Sequence, residues 1–175
     1  MSTARNRIRR MKLHHQAEGY LELRMPRQAL DVLARLGEAD GAHAQTLYLR
    51  GEALRSMDQF AEALVPLRRV AEVEPENIHV WFALGWCYKR VGRLDLAIEA
   101  LETAQSVDPD EALVHYNLAC YWSLAGGKRQ ALEYLEHALA LDPQYRHLID
   151  HESDFDPIRA DPDFQALCEG TGTRK

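Results

Sequence analysis

Two histidines four residues apart, His147 and His151, stand in the most acidic stretch of the chain, beside Asp150, Glu152, Asp154 and Asp156. On a helix, histidines at i and i+4 share a face and can hold one metal ion, which would activate water for hydrolysis. Leu148 follows the first histidine, where that arrangement carries a glutamate as general base. The acidic run lacks the spacing and the glycine of a calcium loop. A polar surface is the preferred reading, and a metal-dependent hydrolase using His147 and His151 is kept as the alternative of another class. His14 and His15 are adjacent and so face different sides of a helix. Cys87, Cys120 and Cys168 form no CxxC pair and no even framework. Cys87 and Cys120 fall on predicted helices, where a free cysteine behaves as a small hydrophobe. No nucleophile elbow, glycine-rich phosphate loop or Cys/His/Asn signature occurs. The expectation is therefore no enzyme, no catalytic residue, no metal and no cofactor.

Whatever such residues do, their positions are set by helices. The chain has 175 residues, 46% hydrophobic and 27% charged, enough for one domain or one short repeat array. No run approaches the ~18 apolar residues that a membrane span needs. The start, MSTARNRIRRMK, is basic and has no apolar core after it, unlike a secretory signal. Odd, unpaired cysteines suit a reducing cytoplasm, the expected location. A formal charge of −6 argues against a nucleic-acid partner. Arg5, Arg7, Arg9, Arg10 and Lys12 are the local exception, read as a solvated basic tail over 1–9.

A period of 34 residues organises the rest. From Ile78 to Glu111 the chain carries Trp81, Leu84, Gly85 and Tyr88, then Ala97, Leu101, Ala104 and Pro109. This resembles the tetratricopeptide repeat, W-x₂-L-G-x₂-Y followed by A-x₃-F and a closing proline, with Leu101 where the pattern favours Phe. One period earlier, 44–77 places Gly51, Ala63, Leu67, Val70 and Pro75 at the matching positions. One period later, 112–145 places Leu118, Ala119, Trp122, Ala131, Leu135, Ala138 and Pro143 there. The first repeat, 10–43, is degenerate: it keeps Ala17, Tyr20, Ala29, Leu33 and Leu36, with Gly41 in place of proline.

The resemblance implies an all-α fold, a right-handed α-solenoid of about four stacked antiparallel helix pairs. Small residues at Ala17, Gly51, Gly85 and Ala119, and at Ala29, Ala63, Ala97 and Ala131, let paired helices approach closely. Tyr20, Leu54, Tyr88 and Trp122 fill the seams. Turns are expected at Met57–Asp58, Gly92 and Gly126–Gly127. Pro26 opens a helix, while Asp108–Pro109 and Asp142–Pro143 close two others. Pro66 falls inside a predicted helix over 59–71 and should bend it.

After Tyr145 the pattern changes, with six acids against one base between His147 and Asp163. Asp154, Asp156, Pro157, Ile158, Arg159, Asp161, Pro162, Phe164 and Leu167 resemble an ending found in many bacterial tetratricopeptide proteins. A terminal repeat needs such a cover over its bare apolar face. Residues 146–169 are therefore expected to form a short helical cap, with Leu148, Ile149, Phe155, Ile158, Phe164 and Leu167 as its apolar teeth. Residues 170–175 are expected to be disordered.

In this family the first helices of successive repeats line a concave face, and a partner protein or peptide binds there without catalysis. Carried onto this chain, the resemblance places His14, Tyr48, Phe82 and Tyr116 on that face. Trp86 lies one turn on, with Glu18, Glu52 and Cys120 as its equivalents, and Arg55, Lys89 and Arg90 follow; Asn117 neighbours Tyr116. The expected binding set is His14, Tyr48, Glu52, Arg55, Phe82, Trp86, Lys89, Arg90, Tyr116 and Asn117. Aromatic and arginine anchors suit an extended or helical segment. The cationic clamp by which tetratricopeptide co-chaperones grip a carboxylate is not reproduced: in a frame from Arg10 its places hold His14, Glu18, Leu49, His79 and Ala83. A chaperone for exported proteins, like those of type III secretion, is the nearer alternative. The acidic ending is also weighed as a segment that folds back over the groove.

Overall fold

The computed structural model describes residues 2–169, and every regular element among them is helical. The expectation for 170–175 lies outside the described residues. Two compact units divide the chain, Met1–Gly92 and Arg93–Lys175. The N-terminal unit holds α1 (Ser2–Glu22), α2 (Pro26–Leu33), the short α3 (Glu38–Gly41), α4 (Ala44–Arg55), α5 (Phe60–Val73) and α6 (Ile78–Arg90). The C-terminal unit holds α7 (Leu94–Val107), α8 (Ala112–Leu124) and α9 (Lys128–Leu141). It continues through a 3₁₀ turn (Pro143–Tyr145), α10 (Arg146–Ile149), a second 3₁₀ turn (Ser153–Ile158) and α11 (Pro162–Glu169).

The same turn ends the first helix of every repeat. Arg24, Asp58, Gly92 and Gly126 have φ of 57°, 59°, 77° and 77°, the left-handed conformation that ends a helix. They lie one period of 34 apart. The bonding is that of a Schellman motif. Asp58 N–H donates to the Arg55 carbonyl (3.1 Å) and Gln59 N–H to the Leu54 carbonyl (3.0 Å). Arg24 and Met25 repeat this on Leu21 and Tyr20, and Gly126 and Gly127 on Ser123 and Trp122. Glycine takes this conformation freely; arginine does not.

Small residues then set the helix spacing. Ala17, Ala29, Ala63, Ala97, Ala119 and Ala131 are fully buried. A Cβ at Gly51 would stand 2.6 Å from both Cγ and Cδ2 of Leu67, so α4 and α5 meet too closely for any side chain there. A Cβ at Gly127 would stand 2.6 Å from the Trp122 ring. Leu33, Leu67, Leu101 and Leu135, one period apart, are almost wholly buried. Leu101, the departure from Phe, fills its place.

The linkers carry a matched contact. Trp81 Nε1 donates to the Pro75 carbonyl (2.7 Å), and one period later the His115 ring donates to the Pro109 carbonyl (2.7 Å). A carbonyl only accepts, so His115 carries its proton on Nε2. Pro26 opens α2, while α7 and α9 stop just before Asp108–Pro109 and Asp142–Pro143. Pro66 lies inside α5, which runs on to Val73. The basic start differs from its reading as a tail: it is helical from Ser2 and extends α1.

In the C-terminal unit the segment after α9 folds onto α8 and α9. Phe155 is fully buried, with Ile149, Ile158 and Phe164 almost so; Leu148 is half exposed and turned to solvent. Arg159 ties the segment together, donating to the carbonyls of Glu152 (2.7 Å) and Ile149 (3.3 Å) and to the Asp156 carboxylate (2.9 Å). Lys128 at the start of α9 reaches Asp161 at 2.8 Å.

Candidate functional site

Within the N-terminal unit, α1, α4 and α6 present His14, Tyr48 and Phe82 at equivalent positions. They differ in access. His14 is buried, and its Nε2 lies 2.8 Å from Thr46 Oγ1. Thr46 spends its one proton on the Asp40 carbonyl (2.7 Å), so His14 Nε2–H must be the donor. Burial first, then the neighbouring His43 and Arg10, lower the His14 pKa from its usual 6.5. This ring is an internal strut and not an open contact. Tyr48 and Phe82 are half-buried.

Tyr48 lines a groove of about 500 Å³ with Glu18, Leu21, Glu22, Leu49, Glu52, Arg55 and Ser56. Gln45 donates to Glu18 at 2.8 Å and fixes one wall. Arg55 grips Glu52 with two bonds, 3.0 Å from Nε and 2.7 Å from Nη2. That bidentate geometry holds both side chains in place. The Glu52 hydrogen bond is the main cause of the upward shift of the Arg55 pKa. Burial, then the Glu52 charge, pushes the Tyr48 phenol up to about 12. Cys87 faces the same pair from α6, and burial raises its thiol to about 11. It is therefore a poor nucleophile at neutral pH.

On α6, Trp86 is 38% exposed, and Lys89 Nζ lies 5.7 Å from the centre of its ring. This pairing of a cation with an aromatic face is preformed at the surface. Arg90 goes elsewhere: its guanidinium lies 4.4 Å over Phe60 and 3.9 Å from Asp58, at the α4–α5 turn. The structure thus gathers Tyr48, Glu52 and Arg55, and places Trp86 with Lys89, but separates His14 and Arg90 from them.

The C-terminal unit treats its two expected residues differently again. Tyr116 is buried, stacked on Tyr145 at 4.8 Å and edge-on to Phe155 at 5.7 Å. Asn117 donates to the Leu113 carbonyl (2.9 Å) of its own helix. Tyr116 is thus interior and closed to a ligand by the C-terminal segment. His147 lies on α10 and His151 in the turn beyond it, both exposed, so they do not share a helix face. Among the described residues, the one group of three metal-ligating side chains is Cys120, Glu152 and Asp154, which includes neither histidine. No helix among the described residues is long and apolar enough to cross a membrane.

Paired helices closed by one recurrent turn, with small residues at fixed places, define an all-helical repeat protein. Residues 54–119 match the family model described as tetratricopeptide repeat. Solved structures share the fold. MamA from Desulfovibrio magneticus RS-1 (residues 41 to the end) superposes with a TM-score of 0.73 at 19% identity, covering 92% of this chain and 94% of that one. A second MamA, from MSR-1, gives a TM-score of 0.68 at 25% identity over 75% of this chain and 76% of that one. YrrB, described as a TPR protein with an unusual peptide-binding site, gives 0.69 at 24% identity over 77% and 70%. No curated protein matches the chain.

Proposed function

We propose that this protein is a non-catalytic interaction scaffold whose N-terminal unit captures a segment of a partner protein on the face bearing Tyr48, Phe82 and Trp86. The carrying observation is Trp86, a large aromatic ring that stays 38% exposed with Lys89 over its face. Trp and Tyr anchors dominate the energetics of protein interfaces. Glu52 and Arg55 hold each other and shape the groove wall beside Tyr48. An apolar side chain of the partner would seat on Trp86 and Phe82. YrrB, a similar structure, has a peptide-binding site, which supports a peptide or protein as ligand.

The test starts with partners captured from the source lysate and purified. Their affinities are then measured by calorimetry for wild type, Trp86→Ala and Phe82→Ala. Each truncation is expected to weaken binding by more than ~1 kcal/mol, about fivefold. Unchanged affinity in variants with native helical content would remove this face from the interaction.

A further inference from the structure

The first two turns of α1 stand clear of the core. Ala4 to Arg9 are all exposed, and the first buried residue described on the helix is Leu13. These turns are also written against a free helix. The first twelve residues hold five of the chain's 21 basic side chains and none of its 27 acidic ones. No acid stands in the first turn, so the positive end of the helix dipole carries like charge. Arg5 and Arg9, four apart, repel each other. A helical stretch this short is marginal in water without packing. An anionic surface laid along it would offset all three costs.

Two apolar side chains stand among these charges. Ile8 is 55% exposed and Met11 58%. Three residues apart, they share one face of α1. That face is opposite Leu13 and Ala17, which pack into the core with residues of α2 and α4. Cations flank it on both sides. Arg5, Arg9, Lys12 and Arg35 line a groove of about 1110 Å³ that also touches Ile8 and has no acidic side chain in its lining. Arg7 borders Ile8 and Met11 on the other side. Arg10 is engaged by Asp40, and Arg9 donates to the Arg35 carbonyl at 2.8 Å, which ties the groove together. Arg5, Arg7, Lys12 and Arg35 are left for an outside anion.

We infer that this face of α1 docks the protein on an anionic lipid bilayer, lying along the surface and not crossing it. Ile8 and Met11 enter the boundary between headgroups and acyl chains, while the cations on either side meet the charged headgroups. A nucleic-acid backbone would satisfy the cations and leave Ile8 and Met11 in water. An acidic protein would have to match the ridge in shape, which a fluid bilayer need not do. The docking face uses no residue of the surface proposed above for partner capture.

The experiment is vesicle flotation of the full chain, with phosphatidylcholine alone or with about 30% phosphatidylserine, in about 0.1 M salt. Wild type should float with the anionic vesicles and not with the neutral ones. Each cation near an anionic surface strengthens binding about fivefold, so Arg5→Ala, Arg7→Ala, Lys12→Ala together should lower partitioning about 100-fold. Ile8→Ser, Met11→Ser should lower it about tenfold with every charge kept. Arg68→Ala, Arg69→Ala on α5, two exposed cations elsewhere, should leave it unchanged. Circular dichroism checks that each variant is folded. Folded wild type that ignores anionic vesicles, or binds neutral ones equally, overturns the docking face. An equal loss in the α5 variant overturns its location. Unchanged binding in the Ile8, Met11 variant overturns the bilayer as occupant and leaves a surface that reads charge alone, as for a nucleic acid or an acidic protein.

Discussion

Introducing one methyl group at Gly51 tests the packing rule on which the repeat rests. A Cβ there would lie 2.6 Å from Leu67 Cγ and Cδ2 and 3.3 Å from Cδ1. Carbon atoms settle at about 3.5–4.0 Å, so roughly 1 Å must be found. Leu67 is fully buried and has nowhere to turn, so α4 and α5 must separate. Overpacking of this kind costs about 1–3 kcal/mol. Alanine also gains about 1 kcal/mol of helix propensity over glycine, so Gly51→Ala alone should destabilise by only ~0–2 kcal/mol. The double-mutant cycle with Leu67→Ala separates the two effects. Leu67→Ala alone should cost about 2–5 kcal/mol through its cavity. In that background the new methyl enters the cavity, while the propensity gain is unchanged. The double variant should therefore be more stable than the sum of the singles by ~1–3 kcal/mol. Urea unfolding of all four proteins, followed by far-UV circular dichroism, measures this coupling. Additivity within ~0.5 kcal/mol would refute the close approach of α4 and α5 at Gly51.

Three further outcomes follow from named contacts. Arg24→Gly relieves a left-handed conformation worth about 1–2 kcal/mol, against ~0.5–1 kcal/mol of glycine entropy, so its urea midpoint should rise slightly; a fall would show that the arginine side chain does more than close the turn. Phe155→Ala empties a fully buried site and should cost ~3–5 kcal/mol, with residues 146–169 becoming the first cut by protease; an unchanged digestion pattern would contradict the docking of that segment. Tyr48 stays protonated to about pH 12 when folded but ionises near 10 when unfolded, so its contribution is intact below pH 10 and is lost as pH rises from 10 to 12. Spectrophotometric titration should show late-ionising phenol absorbance that shrinks in Tyr48→Phe, and an identical titration would contradict the burial of that hydroxyl.

The periodicity of 34 made the helix pairs legible, because small residues and leucines recur where two helices must touch. The turns at Met57–Asp58, Gly92 and Gly126–Gly127 could be read from residue type. Arg24 could not, since nothing in arginine announces a left-handed turn; only its place one period before Asp58 does. Site access was the least legible feature. A repeat position fixes which face a residue joins, but not what covers that face. His14 is covered because Thr46 and His43, brought in before and at the start of α4, close over it. Tyr116 is covered because its repeat is followed by Tyr145 and Phe155. Arg90 turns away because Phe60 and Asp58 offer a ring and a charge within its reach. The Cys120, Glu152 and Asp154 group spans 32 to 34 residues and forms only once the C-terminal segment folds onto α8, so no local spacing could disclose it.

Site-specific photocrosslinking tests the central claim most directly. A photoreactive residue replaces Trp86 on α6 in one protein and exposed Arg68 on α5 in another, and each is irradiated with a purified partner. The scaffold reading predicts crosslinks from position 86 and none from position 68. Crosslinks from position 68 alone would contradict it and move the binding surface to α5.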